Sequence, residues 1–93
     1  MRYEYFYDDL IEMTHIEKHD VSPIEITEFF EEIQVTKRKR KDESYKAIGR
    51  LKSGRYLEVV YRLIAKDHIY VITAYDIKDH FLRDIIDRKL DEL

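Results

Sequence analysis

The pattern of apolar and polar positions changes period along the chain, and each change marks an element. Tyr3-Glu4-Tyr5-Phe6-Tyr7 alternates loosely and is rich in aromatics, which predicts a short strand at a sheet edge. Asp8 or Asp9 then offers a helix cap. Leu10, Ile11, Met13 and Ile16 supply the apolar side of a helix that ends near Asp20. Ser22-Pro23-Ile24-Glu25 is a capping box with proline at the first helical position. Behind it Ile26, Phe29, Phe30 and Ile33 recur at helical spacing, while Glu25, Glu28, Glu31 and Glu32 turn to water. A second helix over about 22–33 follows.

From Val35 the period drops to two. Val35 to Lys41 reads as a strand, and Asp42-Glu43-Ser44 as a turn. The run Tyr45 to Lys52 places Tyr45, Ala47, Gly49 and Leu51 on one face, with Lys46, Ile48, Arg50 and Lys52 on the other. Ser53-Gly54 makes a tight hairpin. Arg55 to Ile64 then sets Leu57, Val59, Tyr61 and Leu63 against Tyr56, Glu58, Val60 and Arg62. After the turn Ala65-Lys66-Asp67, the β-branched and aromatic run His68 to Ala74 reads as a central strand. Ile77, Phe81, Leu82, Ile85, Ile86, Leu90 and Leu93 form a helical stripe over about 78–92, which must dock on the sheet or on a partner. The expected fold is α+β, a single domain over 1–93: a small antiparallel sheet of four to five strands, two N-terminal helices and one C-terminal helix.

Composition narrows the class. The 93 residues are 44% hydrophobic and 13% aromatic, enough for one core, and only two Gly and one Pro argue for regular structure over long loops. With no cysteine, disulfides and cysteine-ligated zinc are excluded. No segment approaches the roughly 18 apolar residues of a membrane span, so a soluble, cytoplasmic protein with no membrane association is expected.

Charge changes the picture more. The net charge of -3 hides a polarised chain. Residues 1–36 carry two basic and ten acidic side chains, net -8. Residues 37–62 carry ten basic against Asp42, Glu43 and Glu58, net +7, and residues 63–93 five basic and seven acidic, net -2. Such a domain steers an anionic partner to one face. Lys37, Arg38, Lys39, Arg40 and Lys41, with Lys46 and Lys52, are the candidate nucleic-acid-binding residues, able to track phosphates but not to read sequence. The acidic first block is a poor surface for duplex DNA. His15 and His19, with Glu12 nearby, are two histidines on one helical stripe without a convincing third ligand, so no metal is expected, and no Gly-rich phosphate loop points to a cofactor.

Tyr7-Asp8, then Lys18-His19 and Val21-Ser22, followed by Gly49-Arg50, Gly54-Arg55, Leu57, Val59-Val60-Tyr61 and Ile72-Thr73-Ala74, form an ordered set. In that order and spacing the chain resembles the BrnT-type toxins of bacterial toxin–antitoxin pairs, small proteins with a RelE-like ribonuclease fold. The resemblance covers about residues 5–74, with Asp20 where the family's Lys-His-Gly-Val-Ser pattern has glycine. It implies an endoribonuclease that blocks translation by metal-independent attack of the RNA 2′-hydroxyl, using Arg and Lys to neutralise the phosphorane. Arg50, Arg55 and Arg62 are the catalytic candidates for that role, and Tyr75 and His80 for proton transfer. The implied partners are RNA, including ribosome-bound mRNA, and a ribbon-helix-helix antitoxin; a homo-oligomer is compatible. After Ala74 the family's basic pair gives way to Tyr75-Asp76-Ile77, which keeps open a second expectation, a non-catalytic RelE-like module that binds antitoxin or RNA.

Overall fold

Alternating residues in the middle of the chain build a five-stranded sheet, seen in a computed structural model that describes residues 1–92, and of residues 32–37 the backbone alone. Its strands are β1 (Arg2–Tyr5), β4 (Gln34–Lys39), β5 (Tyr45–Arg50), β6 (Tyr56–Ala65) and β7 (His68–Asp76). A separate ribbon pairs β2 (Tyr7–Asp8) with β3 (Met13–Thr14). The sheet order is β1-β7-β6-β5-β4, so the expected edge position of the first strand and the interior position of the last are both found. Strands β4 to β7 pair antiparallel, but β1 runs parallel to β7, with Tyr3 opposite Ile69 and Tyr5 opposite Val71. The sheet is therefore mixed. The chain leaves β1 to build its helices, re-enters at the far edge as β4, and three hairpin reversals bring β7 back beside β1 in the same direction.

The helix expected from Asp8 or Asp9 to Asp20 forms only in its last turn, α1 (His15–Lys18). Asp8 does cap, but its carboxylate accepts the Leu10 N–H at 2.9 Å in a turn, and Glu12 takes a left-handed φ of 54° that closes the β2–β3 ribbon. The real helix start is Thr14. Its hydroxyl accepts the Glu17 N–H while the Glu17 carboxylate accepts the Thr14 N–H, a capping box like that of Ser22 and Glu25. The apolar residues before it are consequently not a buried stripe: Leu10 is 94% exposed.

Helix α2 (Pro23–Glu28) starts at Ser22 as its capping box dictates and continues as a wider, π-type turn over Phe29–Ile33. Helix α3 (His80–Asp91) begins where the Asp79 carboxylate accepts the Phe81 N–H at 2.8 Å. No described helix is long and apolar enough to cross a membrane.

Alternation gives the sheet two faces, interrupted where the β6–β7 register shifts between Val60 and Tyr61 and between Leu63 and Ala65. Ala47, Leu51, Leu57, Val59, Tyr61, Val71 and Ala74 point to one side, where Ile16, Val21, Ile26 and Phe29 cover them in a continuous core. Cross-strand register places Ala47 opposite Val59 and Val59 opposite Ala74 on this side. One residue along each strand, Ile48 opposes Glu58 and Glu58 opposes Tyr75, on the side where Ile86 of α3 is buried. A polar row thus runs across the second face.

Candidate nucleic-acid interface

Arginine 55 follows the Ser53-Gly54 turn, in which Gly54 takes φ +95°, and its guanidinium is fully engaged. Nε and Nη2 donate to the two Asp76 oxygens at 2.6 and 3.2 Å. Nη1 donates to both Glu25 oxygens at 3.0 Å and to the Asp20 carbonyl at 2.7 Å, while Nη2 also reaches the His19 carbonyl at 3.2 Å. The Arg55 hydrogen bond holds the Asp76 carboxyl below its ordinary range. Burial pushes Glu25 upward, but bonds from the Ser22 N–H and Arg55 outweigh it and the net shift is downward. Arg55 thereby ties the end of α1, the start of α2 and the end of β7 to the β5–β6 turn. A cleft of ≈670 Å³ beside it is lined by Glu17, Asp20 and Glu25, and that carboxylate set repels phosphate.

Arg50 is also occupied. Its Nη1 donates to Asp87 of α3 at 2.6 Å, and the same carboxylate accepts the Tyr56 hydroxyl at 2.8 and 2.9 Å. Arg83 lies 4.9 Å from the centre of the Tyr56 ring, so this cluster docks α3 on the sheet. His80 is exposed on the first turn of α3. Lys52 sits beyond the far end of β5, where its N–H donates to Glu28 and where Glu31 also lies, away from the basic run.

The remaining basic residues gather at the other end. Strand β4 and the turn after it carry Arg38, Lys39, Arg40 and Lys41, all exposed; the Lys37 side chain lies outside the described residues. The turn is fixed by Asp42, whose carboxylate accepts the Ser44 N–H at 3.1 Å and its hydroxyl at 2.6 Å, and by Glu43 at φ 69°. Lys39 pairs with Glu43 at 2.8 Å, and Arg62 approaches Asp42 at 3.9 Å. Among the described residues Arg38, Arg40 and Lys41 form no ion pair.

Glu58 stands at the middle of the second face, with only 13% of its side chain exposed. It accepts from Lys46 Nζ at 3.2 Å on the neighbouring strand and from the Tyr75 hydroxyl on the other side. Burial, followed by the Glu58 charge and that hydrogen bond, pushes the Tyr75 phenol up to about 12, partly offset by the Arg40 charge. Between this row and α3 runs a groove of ≈390 Å³, lined by Arg38, Lys46, Ile48, Glu58, Leu82 and Ile85. Tyr75 also carries the ring of His19 against it at 5.9 Å, whereas His15 turns to Asp8 at 3.2 Å, so the two histidines have separate partners.

Of the residues singled out from sequence, the fold brings together Arg38, Arg40, Lys46 and Tyr75, with Lys39, Lys41 and Arg62 adjoining on the hairpin and strand. It places Arg50, Arg55, Lys52 and His80 elsewhere. Sequence reasoning misses Glu58 because an acid on a basic strand reads as a solvated charge; its signal is the alternation that puts it on the same face as Lys46. Comparison with protein-family models, curated proteins and solved structures finds no match.

Proposed function

We propose that the chain binds RNA across the β4–β5 hairpin and the sheet face in front of α3, and that it is the toxin of a toxin–antitoxin pair. One observation carries the reading: Arg38, Arg40 and Lys41, exposed and in no ion pair among the described residues, sit together on the β4–β5 hairpin, where Arg38 pairs in register with Lys46 and lines one groove with it. Exposed guanidinium and ammonium groups bind phosphate with release of counterions, so affinity comes from this cluster. The α+β fold supports placing that activity in a BrnT-like protein, as does Asp20. It occupies the position of the family's glycine and adopts φ 59°, a backbone conformation for which glycine is best suited and Asp among the better alternatives. In this reading the cations neutralise the phosphorane during 2′-hydroxyl attack. An acidic face of a ribbon-helix-helix antitoxin covers the same strip.

A second reading, an RNA- or antitoxin-binding module without cleavage, is favoured by the ion pairs that occupy Arg50 and Arg55. Incubating the purified protein with labelled single-stranded RNA in EDTA separates the two. Binding with cleavage supports the toxin; binding with intact RNA, together with normal growth on expression without the neighbouring gene, leaves the module. Failure to bind any RNA sinks both.

A further inference from the structure

We infer that the groove in front of α3 holds one unstacked nucleobase and that Glu58 selects guanine; this rests on the RNA-binding reading above. The groove is not built as a phosphate site throughout. Its rim is cationic, with Arg38 and Lys46, but its walls are Ile48, Leu82 and Ile85 and its floor is a carboxylate. A carboxylate floor repels phosphate and accepts N–H donors, while apolar walls shed water from a flat ring. A volume of ≈390 Å³ falls at the lower end of small-ligand sites. Single-stranded RNA is read in this way, by splaying a base into a slot and bonding its Watson–Crick edge, with guanidinium planes such as that of Arg38 available for stacking.

The geometry at Glu58 favours one base. Lys46 and Tyr75 donate to the carboxylate from its two flanking strands, which orients it. A carboxylate has about four acceptor sites, so further lone pairs remain for a ligand. Guanine alone presents two adjacent donors on its Watson–Crick edge, N1–H and N2–H, matched in spacing to two carboxylate oxygens. Cytosine, adenine and uracil each present one donor beside acceptors, and an acceptor set against Glu58 is repelled. Arg38 and Lys46 at the rim then meet the flanking phosphates, which supply affinity without discrimination.

Fluorescence anisotropy with labelled RNA hexamers tests this on the intact protein. The set is oligouridylate and its variants with one central guanosine, adenosine, cytidine or inosine. A good bidentate contact corresponds to about tenfold in affinity, so the guanosine hexamer is expected to bind about tenfold tighter than oligouridylate. Inosine, which keeps N1–H but lacks the N2 amine, should lose most of that preference with the protein untouched. In Glu58→Gln, where an NH₂ replaces one acceptor, the ratio between guanosine and uridine hexamers should fall towards one. Equal binding of all hexamers by the wild-type protein, or a guanosine preference that survives inosine replacement or Glu58→Gln, overturns the inference and leaves RNA binding standing. Binding of none of them overturns both.

Discussion

Arg55 and Asp76 face each other as a two-pronged pair, Nε to Oδ1 at 2.6 Å and Nη2 to Oδ2 at 3.2 Å, across the start of β6 and the end of β7. The same guanidinium also reaches Glu25 and two backbone carbonyls, so four acceptor groups of three segments converge on one flat donor fork. Lysine cannot reproduce that fork. Arg55→Lys should destabilise the protein by about 2 kcal/mol and Arg55→Met by about 3 kcal/mol, since partners are left without a donor. Thermal unfolding checks it, with a loss of roughly 10 °C or more expected for a domain of this size. If either variant melts with the wild type, the clamp is ornamental.

Acid should act through the same pair. Asp76 and Glu25 have folded pKa values below their ordinary ones, so the unfolded chain takes up protons first as pH falls. Their contribution is present above the ordinary carboxylate range, about pH 4, and is lost as pH drops through the depressed folded values. Urea unfolding of wild type and Arg55→Met at pH 7 and near pH 3 should show the difference between them narrowing at the lower pH. A constant difference would mean that the two carboxylates draw nothing from Arg55.

Docking of α3 turns on Asp87, which receives both Arg50 and Tyr56. Both members of the ion pair are more than a third exposed, so solvent screens it. Asp87→Asn and Tyr56→Phe should each cost about 1 kcal/mol, and the double variant less than the sum. Additive losses in chemical unfolding would show that the three groups do not act together.

RNA binding, if it uses the hairpin, should respond to position rather than to net charge. Arg38→Glu with Arg40→Glu should weaken binding at least tenfold and flatten its salt dependence by roughly two counterions. Lys52→Glu changes net charge in the same direction beyond the far end of β5 and should leave affinity within about twofold. Equal losses in both would point to nonspecific attraction.

Gly54 offers a smaller test of the turn. A Cβ there meets nothing within 4 Å, but φ is +95°. Gly54→Ala should therefore cost about 1 kcal/mol through backbone strain alone, read by thermal unfolding, whereas crowding predicts no loss.

Much of this molecule is written in local pattern. Alternation in Tyr45 to Arg62 assigns each residue to a face, and the structure keeps that assignment, because a strand has no other way to place successive side chains. Ser22 and Glu25 start a helix wherever they occur together, since they satisfy orphan N–H groups within a few residues. The same signal at Thr14 and Glu17 was equally local, but the apolar residues before it concealed it.

What the chain cannot state along its length is which charges meet. Arg50 lies 37 residues from Asp87, and Arg55 lies 30 from Glu25 and 21 from Asp76. Only the docking of α3 and the register of β6 on β7 convert those arginines from candidate phosphate ligands into internal clamps. The parallel placement of β1 is of the same kind, decided by where three hairpins return the chain. So is the groove: Glu58 and Tyr75 face each other in register, Lys46 reaches Glu58 diagonally from the next strand, and α3 supplies its apolar wall from a segment distant in sequence. Sequence fixes the faces through the geometry of a single strand. Tertiary structure decides the site, because electrostatic and packing partners are set by distance in space and not by spacing along the chain.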